Sequence, residues 1–275
     1  MSLTTFLIFT DLDGTLLDHD NYSFEAAAGT LQKLKAAGHF VIPNTSKTFA
    51  ELSSFKQSAQ LNTPFIFENG SAVAIPKDFF PWQPPETVEK ENMWIKSFSP
   101  ERSHWLSLIQ QHGQHFYGMF KGFSQMSTEE VVSLTGLSHD AAHQAMQRQY
   151  GEPLHWNGDE YAKREFLHTM QAAGAKVLTG GRFTHICGDS DKGKAMLWLA
   201  QMFSRECEEQ EFKTIALGDS QNDSAMLEAA DIAVQIKSHS HPFPKIKKQQ
   251  HLYQSTLYGP AGWSECLEKI VFNQE

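Results

Sequence analysis

The chain has 275 residues, of which 40% are hydrophobic, so it is long enough to bury a sizeable core. Its formal net charge of −9 argues against nucleic acid as the main partner, because affinity for a phosphate backbone needs a surplus of lysine and arginine. Three cysteines without paired spacing and a start without a signal-peptide pattern predict a cytoplasmic protein that has no disulfide framework and no membrane span.

The first 75 residues alternate between strand and helix patterns. Apolar, β-branched and aromatic runs predict strands at Thr5–Thr10, 40–42 and Phe65–Phe67. Apolar residues at helical spacing predict a helix in each interval, and Gly38 is placed to end the first helix. Short strand–helix–strand links of this kind predict a parallel sheet with right-handed crossovers.

The alternation breaks at a cluster of prolines between residues 76 and 85, which marks a domain boundary. The following stretch predicts four helices and then a hairpin around Gly180-Gly181. The helices are expected near residues 100–112, 128–135, 138–150 and 160–173, and the hairpin strands at 176–179 and 182–187. This stretch is therefore predicted to be a separate α+β module.

The alternating pattern returns after Gly188. It predicts a helix at 194–203, a strand at 214–217, a helix at 224–230 and a strand at 232–235. The simplest interpretation is a discontinuous α/β core made of residues 1–82 and 188–275, with the module at 83–187 inserted into it.

Two carboxylates follow the first predicted strand in the segment Asp11-Leu12-Asp13-Gly14-Thr15. Ligands of an open parallel sheet gather at the carboxyl ends of its strands, so catalytic groups are expected there. One carboxylate of such a pair can attack phosphorus and form an acyl phosphate, while the other protonates the leaving oxygen and later deprotonates water. The alternative is an ordinary acidic turn.

A second acidic segment, Gly218-Asp219-Ser220-Gln221-Asn222-Asp223, follows another predicted strand. Mg²⁺ takes oxygen ligands in near-octahedral geometry. Asp219 and Asp223 are expected to meet Asp11 across neighbouring strands and to hold this ion, with Asn222 orienting one carboxylate. Alone, the segment would indicate capping acids at the start of a helix.

A carboxylate cluster beside a phosphate dianion needs cations and hydrogen-bond donors. Lys192 precedes a predicted helix and can pair with both a carboxylate and the phosphate, whereas Lys194 is expected to point into solvent. Thr45, at the end of the second predicted strand, offers a hydroxyl and a backbone N–H for phosphate oxygens. Lone threonines and lysines are usually surface or capping groups, so both assignments depend on the whole set.

This ordered set of motifs resembles the haloacid dehalogenase superfamily of phosphohydrolases. The resemblance implies a Rossmann-like parallel sheet core with an inserted C2-type cap, as in the IIB subclass. It also implies that Asp11 is the nucleophile, that Asp13 is the general acid and base, and that Thr45 and Lys192 hold the phosphoryl group. The implied magnesium ligands are Asp11, the backbone carbonyl of Asp13, Asp219 and Asp223.

Finer features are similar to those of mannosyl-3-phosphoglycerate phosphatases, a group that overlaps with glucosyl-3-phosphoglycerate phosphatases. The segments concerned are Asn44-Thr45-Ser46-Lys47-Thr48, Glu68-Asn69-Gly70, Thr135-Gly136-Leu137-Ser138 and Gly259-Pro260-Ala261-Gly262-Trp263. The implied partner is a small phosphorylated molecule that carries a carboxylate and a sugar.

Five residues are candidates for binding such a substrate. Lys47 and Arg182 would pair with the carboxylate, since arginine offers a planar bidentate fork. Asn69, Arg148 and His185 would contact the sugar or the glycerate. Ordinary cross-strand contacts are an equal alternative for Arg182 and His185, and a solvated helix face is at least an equal alternative for Arg148.

Two other functions compete with a phosphatase. A phosphomutase would form the same aspartyl-phosphate but return the phosphoryl group to a sugar. A sugar-phosphate-binding protein would bind such molecules without turnover. The sequence predicts neither the sugar of the substrate nor the oligomeric state.

Overall fold

The structure is a computed structural model that describes residues 4–180, 182–207 and 210–273. It divides into two compact units. The first unit contains Met1–Ser46, Gln60–Lys96 and Asp191–Glu275, and the second contains Lys47–Ala59 and Ser97–Ser190. The domain boundaries drawn from the sequence stay a prediction. Residues 1–3 and Gly181, which bear on the predictions for the chain start and the hairpin turn, lie outside the described residues.

In the described residues, the first element of secondary structure is a strand and the last is a short π-helical turn. The strands are β1 (Thr5–Thr10), β2 (Phe40–Pro43), β3 (Phe65–Phe67), β4 (Ala72–Pro76), β5 (Val88–Lys90), β6 (Met93–Ser97), β7 (Phe120–Gly122), β8 (Gly151–Trp156), β9 (Lys176–Gly180), β10 (Phe183–Cys187), β11 (Phe212–Gly218), β12 (Ile232–Lys237) and β13 (Leu252–Tyr258). The α-helices are α1 (Glu25–Ala36), α2 (Phe49–Ser58), α3 (Arg102–His112), α4 (Thr128–Thr135), α5 (His139–Met146), α6 (Glu160–Ala172), α7 (Lys192–Glu206), α8 (Ser224–Ala229) and α9 (Gly259–Leu267). In the described part of the chain, none of the helices has the length and apolar composition that crossing a membrane requires.

A parallel sheet forms the centre of the first unit, with the strand order β13-β12-β11-β1-β2. Every residue of β1 is buried, as is typical of a parallel strand that is covered on both faces. The register pairs Thr10 of β1 with Leu217 of β11 and with Pro43 of β2, so the three strands end at the same edge. The acidic segments after β1 and β11 therefore start at that edge.

The second sheet of the first unit has the strand order β3-β4-β6-β5, and its outer pairs β3–β4 and β5–β6 are antiparallel. The sequence predicts Phe65–Phe67 as a strand of the parallel sheet, but the structure pairs it antiparallel with β4. Only four residues separate β3 from β4, which is too short for the crossover that parallel pairing requires. A single parallel bridge between Asn44 and Ile66 connects this strand to the end of β2.

An antiparallel sheet with the strand order β7-β8-β10-β9 forms the framework of the second unit. Trp105 of α3, Leu154 of β8 and Phe166 of α6 belong to one buried cluster, so α3 and α6 cover one face of this sheet. Val131 of α4 and Ala142 of α5 belong to a second cluster. A parallel sheet in one unit and an α+β arrangement in the other confirm the predicted fold class.

Candidate active site

The carboxyl ends of β1 and β11 place the first two acids. Asp11 directly follows β1, and its backbone N–H donates to the carbonyl of Leu217 at 2.9 Å, which extends the strand pairing by one residue. Asp219 directly follows β11. Both residues are buried, with 6% of Asp11 and 5% of Asp219 exposed. Strand pairing therefore fixes the points from which both side chains extend.

The third acid, Asp223, is held by the loop that begins at Gly218. Its Oδ2 accepts hydrogen bonds from the backbone N–H groups of Asp219 at 3.1 Å and Ser220 at 3.0 Å. A side chain at position 218 would overlap Asp223, so only glycine fits there. One carboxylate oxygen from each of Asp11, Asp219 and Asp223 lies within 4.8 Å of the other two.

Lys192 places its ammonium group within this cluster. Its Nζ lies 2.6 Å from Asp11 Oδ1 and 2.7 Å from Asp223 Oδ1, and the side chain is fully buried. Burial alone would lower the pKa of Lys192, but the two carboxylates raise it above its ordinary value, so the amine stays charged. Lys194 is 56% exposed and lies beside Asp191 at the start of the same helix.

Negative charge exceeds positive charge among the described residues of the cluster. Burial and the Asp11 carboxylate raise the pKa of Asp219 to about 6. Burial also raises the pKa of Asp223, against the opposing charge of Lys192. Buried carboxylates in excess are stabilised by protons or by a cation that prefers oxygen ligands. The three converging carboxylate oxygens therefore fit a divalent cation of that kind.

Asp13 lies in a tight turn next to the cluster. The turn is closed by a hydrogen bond from the N–H of Gly14 to the carbonyl of Leu17 at 2.9 Å. Gly14 has a φ of +75°, and a side chain there would lie 2.8 Å from Asp219 Oδ2. The turn therefore packs its backbone directly against the second acid.

Thr45 is fully buried just beyond the end of β2. Its backbone N–H donates to the carbonyl of Ile66 at 3.1 Å, and its carbonyl accepts from the N–H of Asn69 at 2.9 Å. The expectation that this N–H serves a phosphate oxygen is therefore wrong, because the donor joins β2 to β3. The hydroxyl remains the candidate group of Thr45.

Two predicted carboxylate-binding residues have local partners in the second unit. Lys47 Nζ lies 3.7 Å from Glu51 Oε1, one turn along the chain. The exposed Arg182 donates a hydrogen bond to the carbonyl of Leu134, just before the end of α4. Both contacts lie within this unit, and the partner of Arg182 belongs to a helix, not to a neighbouring strand.

Arg148 and His185, also in the second unit, lie close enough to interact. Burial, and after it the positive charge of Arg148, lower the pKa of His185 to about 3. The imidazole of His185 is therefore neutral near pH 7, a form with one hydrogen-bond donor and one acceptor. The structure thus places a permanent cation beside a neutral polar ring.

The sequence did not indicate the residues whose hydrogen bonds fix the backbone of Asp11. Trp263 Nε1 donates to Thr10 Oγ1 at 3.1 Å, and the Thr10 hydroxyl donates to the carbonyl of Asp11 at 2.7 Å. Trp263 is fully buried in α9. The tryptophan stands in one of the segments that carry the family resemblance, but nothing in the sequence connects it to the first strand.

Two further supporting residues were also missed. Asn44 Nδ2 donates to the carbonyl of Lys192 at 3.0 Å, which fixes the start of α7. The Ser238 side chain interacts with the Asp219 carboxylate and opposes the rise in its pKa. Asn44 directly follows β2 and stands in one of the segments that carry the family resemblance, whereas the only signal for Ser238 is that it directly follows β12.

The chain is similar to known proteins in sequence and in fold. The sequence model of the haloacid dehalogenase-like hydrolases matches residues 8–146 and 180–250. A protein of Methanococcoides burtonii named glucosyl-3-phosphoglycerate/mannosyl-3-phosphoglycerate phosphatase is 35% identical over 96% of this chain and 97% of its own. The mannosyl-3-phosphoglycerate phosphatase of Pyrococcus horikoshii is 33% identical over 86% of this chain and 92% of its own.

A solved structure of a sugar phosphatase from haloacid dehalogenase subclass IIB is similar in fold. It has a TM-score of 0.62 at 16% identity, covering 96% of this chain and 98% of its own. The family match spans more than half of the chain, and the relatives cover most of it. This chain belongs to the haloacid dehalogenase-like hydrolases.

Proposed function

We propose that this enzyme hydrolyses a sugar-linked phosphoglycerate, with mannosyl-3-phosphoglycerate as the substrate and glucosyl-3-phosphoglycerate as the alternative. The observation that carries the proposal is the buried cluster of Asp11, Asp219, Asp223 and Lys192 at one edge of the parallel sheet. Two relatives that match this chain over most of its length are named for these substrates. The cysteines are free thiols, which supports a location in the reducing cytoplasm.

In the proposed mechanism, a carboxylate oxygen of Asp11 attacks phosphorus and the bond from phosphorus to the leaving oxygen breaks. Asp13 gives its proton to that oxygen, which departs as the hydroxyl group of the sugar-linked glycerate. Asp13 then takes a proton from water, whose oxygen attacks the phosphorus of the aspartyl-phosphate and releases inorganic phosphate and Asp11. Lys192 and the Thr45 hydroxyl hold the phosphoryl oxygens, and the lysine reduces repulsion between Asp11 and the phosphate.

We assign the cation of the cluster as Mg²⁺. Its proposed ligands are Asp11, Asp219, Asp223 and the backbone carbonyl of Asp13, which are oxygen donors of the type this ion prefers. When bound, the ion supplies positive charge that stabilises the charge of the phosphoryl group in transfer.

Recognition of the rest of the substrate is assigned to the inserted module, residues 83–187, acting as a cap, together with Lys47. Lys47 and Arg182 are proposed to bind the carboxylate. Arg148 and His185 are proposed to bind the sugar or the glycerate. The neutral ring of His185 supports this role, because it suits hydroxyl groups that both donate and accept hydrogen bonds.

Magnesium is expected to raise the melting temperature, and its affinity is expected to fall as the pH drops through about 6. Protons taken up by Asp219, whose pKa is about 6, compete with the ion, so the apparent Kd rises by up to about tenfold per pH unit below that value. The stability of the metal-free protein depends on pH in the opposite sense. A raised carboxyl pKa stabilises the folded state at low pH, and this contribution is lost as the pH rises through about 6.

Thermal unfolding with EDTA or with Mg²⁺, between about pH 5 and about pH 8, measures both effects. The Asp219→Asn variant should lose most of the magnesium-induced shift, whereas Asp20→Asn, which changes an exposed acid of the same unit, should keep it. A full shift in Asp219→Asn would contradict the metal assignment.

The substrate proposal predicts selective release of inorganic phosphate by the wild-type enzyme with Mg²⁺. Hexose phosphates lack a carboxylate, so the cations of a carboxylate-binding site would stay unpaired when they bind. The kcat/KM for mannosyl-3-phosphoglycerate should therefore exceed that for hexose phosphates by about 100-fold or more. The glucosyl analogue, measured in parallel, decides between the two sugars.

The same assay separates the competing functions. A phosphomutase would form an isomeric sugar phosphate without releasing inorganic phosphate. A binding protein would show a substrate-induced rise in melting temperature with no product. Equal activity on hexose phosphates and on both sugar-linked phosphoglycerates would overturn the substrate proposal while leaving the phosphatase chemistry intact.

A further inference from the structure

The turn between β3 and β4 has an unusual backbone. Three consecutive residues, Glu68, Asn69 and Gly70, have φ values of +48°, +57° and +85°. This left-handed region is unfavourable for residues with a side chain, and asparagine tolerates it better than most. Such a conformation persists only where surrounding contacts hold it. Contacts with the rest of the first unit must therefore compensate for this turn.

The turn contacts each of three chain segments that supply the active site. The N–H of Asn69 donates to the carbonyl of Thr45 at 2.9 Å. Gly70 packs against the carbonyl of Asp191, the residue before the buried lysine, and any side chain at position 70 would overlap that carbonyl. Asn69 Oδ1 accepts a hydrogen bond from Asn222 Nδ2 at 3.1 Å, and Asn222 directly precedes the third acid of the cluster.

The other end of the Asn222 amide is also hydrogen-bonded. Its Oδ1 accepts from the Ser220 hydroxyl at 2.5 Å, while its Nδ2 donates to Asn69. The N–H of Ser220 in turn donates to Asp223 Oδ2 at 3.0 Å. Asn69 is therefore the acceptor at the end of a short hydrogen-bonded chain that leads to a carboxylate of the cluster.

We infer that Asn69 is a positioning residue: it fixes the segment from Asp219 to Asp223 relative to Thr45 and Lys192 by accepting a hydrogen bond from Asn222. The inference rests on the proposed phosphatase site and gives Asn69 a task other than the substrate contact expected from the sequence. This role explains why residue 69 is an asparagine, although its backbone is in the left-handed region and glycine would fit there with less strain.

The test compares two substitutions that both tolerate a positive φ. Asn69→Gly removes the acceptor, and Asn69→Asp keeps it. With Asn69→Gly, the apparent Kd for Mg²⁺, measured from the shift in melting temperature without substrate, should rise about tenfold, and kcat should fall about tenfold with little change in KM. Asn69→Asp should stay close to wild type in both measurements.

Two further variants complete the design. Asn222→Ala should reproduce the losses of Asn69→Gly, and the double variant should be no worse than either single one, since both remove the same hydrogen bond. Asn92→Gly is the matched control, because Asn92 is exposed, lies between β5 and β6 and has a φ of +61°. It should leave magnesium affinity and kcat unchanged.

Several results would overturn the inference. One is a wild-type affinity for Mg²⁺ in both Asn69→Gly and Asn222→Ala. Another is a loss confined to KM, or an Asn69→Asp variant as impaired as Asn69→Gly, either of which would make Asn69 a substrate contact. Failure of the proposed function is distinguishable, because the wild-type enzyme would then release no phosphate while the magnesium titration still reads the role of Asn69.

Discussion

The Asp11→Asn variant is expected to lose about 10⁴-fold or more of the phosphatase kcat, because a carboxamide is too weak a nucleophile to form the phosphoryl intermediate. The substitution is nearly isosteric, and its oxygen can still accept the hydrogen bond that Lys192 makes at 2.6 Å in the wild type. The fold should therefore survive. Phosphate release at saturating substrate, together with circular dichroism and melting temperature, measures the effect.

Acid quenching during turnover gives a second, independent measurement. The wild-type protein should carry a phosphoryl group on the peptide that contains Asp11, and Asp11→Asn should carry none. Asp20→Asn, a change of an exposed acid nine residues along the chain, is the matched control and should match the wild type. Undiminished turnover in Asp11→Asn, or a phosphoryl group on another residue, would exclude Asp11 as the nucleophile.

Replacing Lys192 with methionine is expected to affect both stability and activity. The substitution leaves Asp11 and Asp223 buried without their cation, and breaking a buried pair in this way costs about 3–5 kcal/mol of unfolding free energy. The loss should be largest near pH 8 without metal and smaller near pH 5, because Asp219 and Asp223, whose pKa values are already raised, then take up protons. Denaturant unfolding at both pH values measures it.

Lys194→Met is the control, since that side chain is 56% exposed in the first turn of the same helix. It should change stability by no more than a few tenths of a kcal/mol, as for other exposed pairs. If Lys192→Met were as stable as Lys194→Met at both pH values, the ion pairs described for Lys192 would not exist in solution.

The positions of Asp11 and Asp219 could be predicted because each directly follows a strongly apolar strand. β1 and β11 are recognisable from their own residues, and the rule that catalytic groups follow the carboxyl ends of parallel strands does the rest. The choice of Lys192 over Lys194 also follows from local pattern, since the first precedes the helix pattern and the second lies within it. These predictions required no knowledge of long-range contacts.

Other features were beyond the sequence for physical reasons. β8 was missed because Glu152 and Pro153 are poor strand residues. Burial of Glu152 depends on distant donors: Arg102 Nε donates to it at 2.6 Å, and the N–H and hydroxyl of Ser124 donate to it at 2.8 and 2.7 Å. The hydrogen bond between Asn69 and Asn222 joins residues 153 positions apart, and no periodic pattern in the sequence predicts it. Side-chain contacts of this kind depend on how the strands are ordered, which the sequence leaves open.

The strand order of the parallel sheet also has a consequence for synthesis of the protein. β1 leaves the ribosome first, but β11, one of its two neighbours in the sheet, begins only at Phe212. At about 5–20 residues per second, translation separates the two strands by about ten seconds or more. During that interval one edge of β1, an apolar strand, has no partner and can pair with other nascent chains. Yield in cells should therefore depend on translation speed and on chaperones that shield the amino-terminal strand.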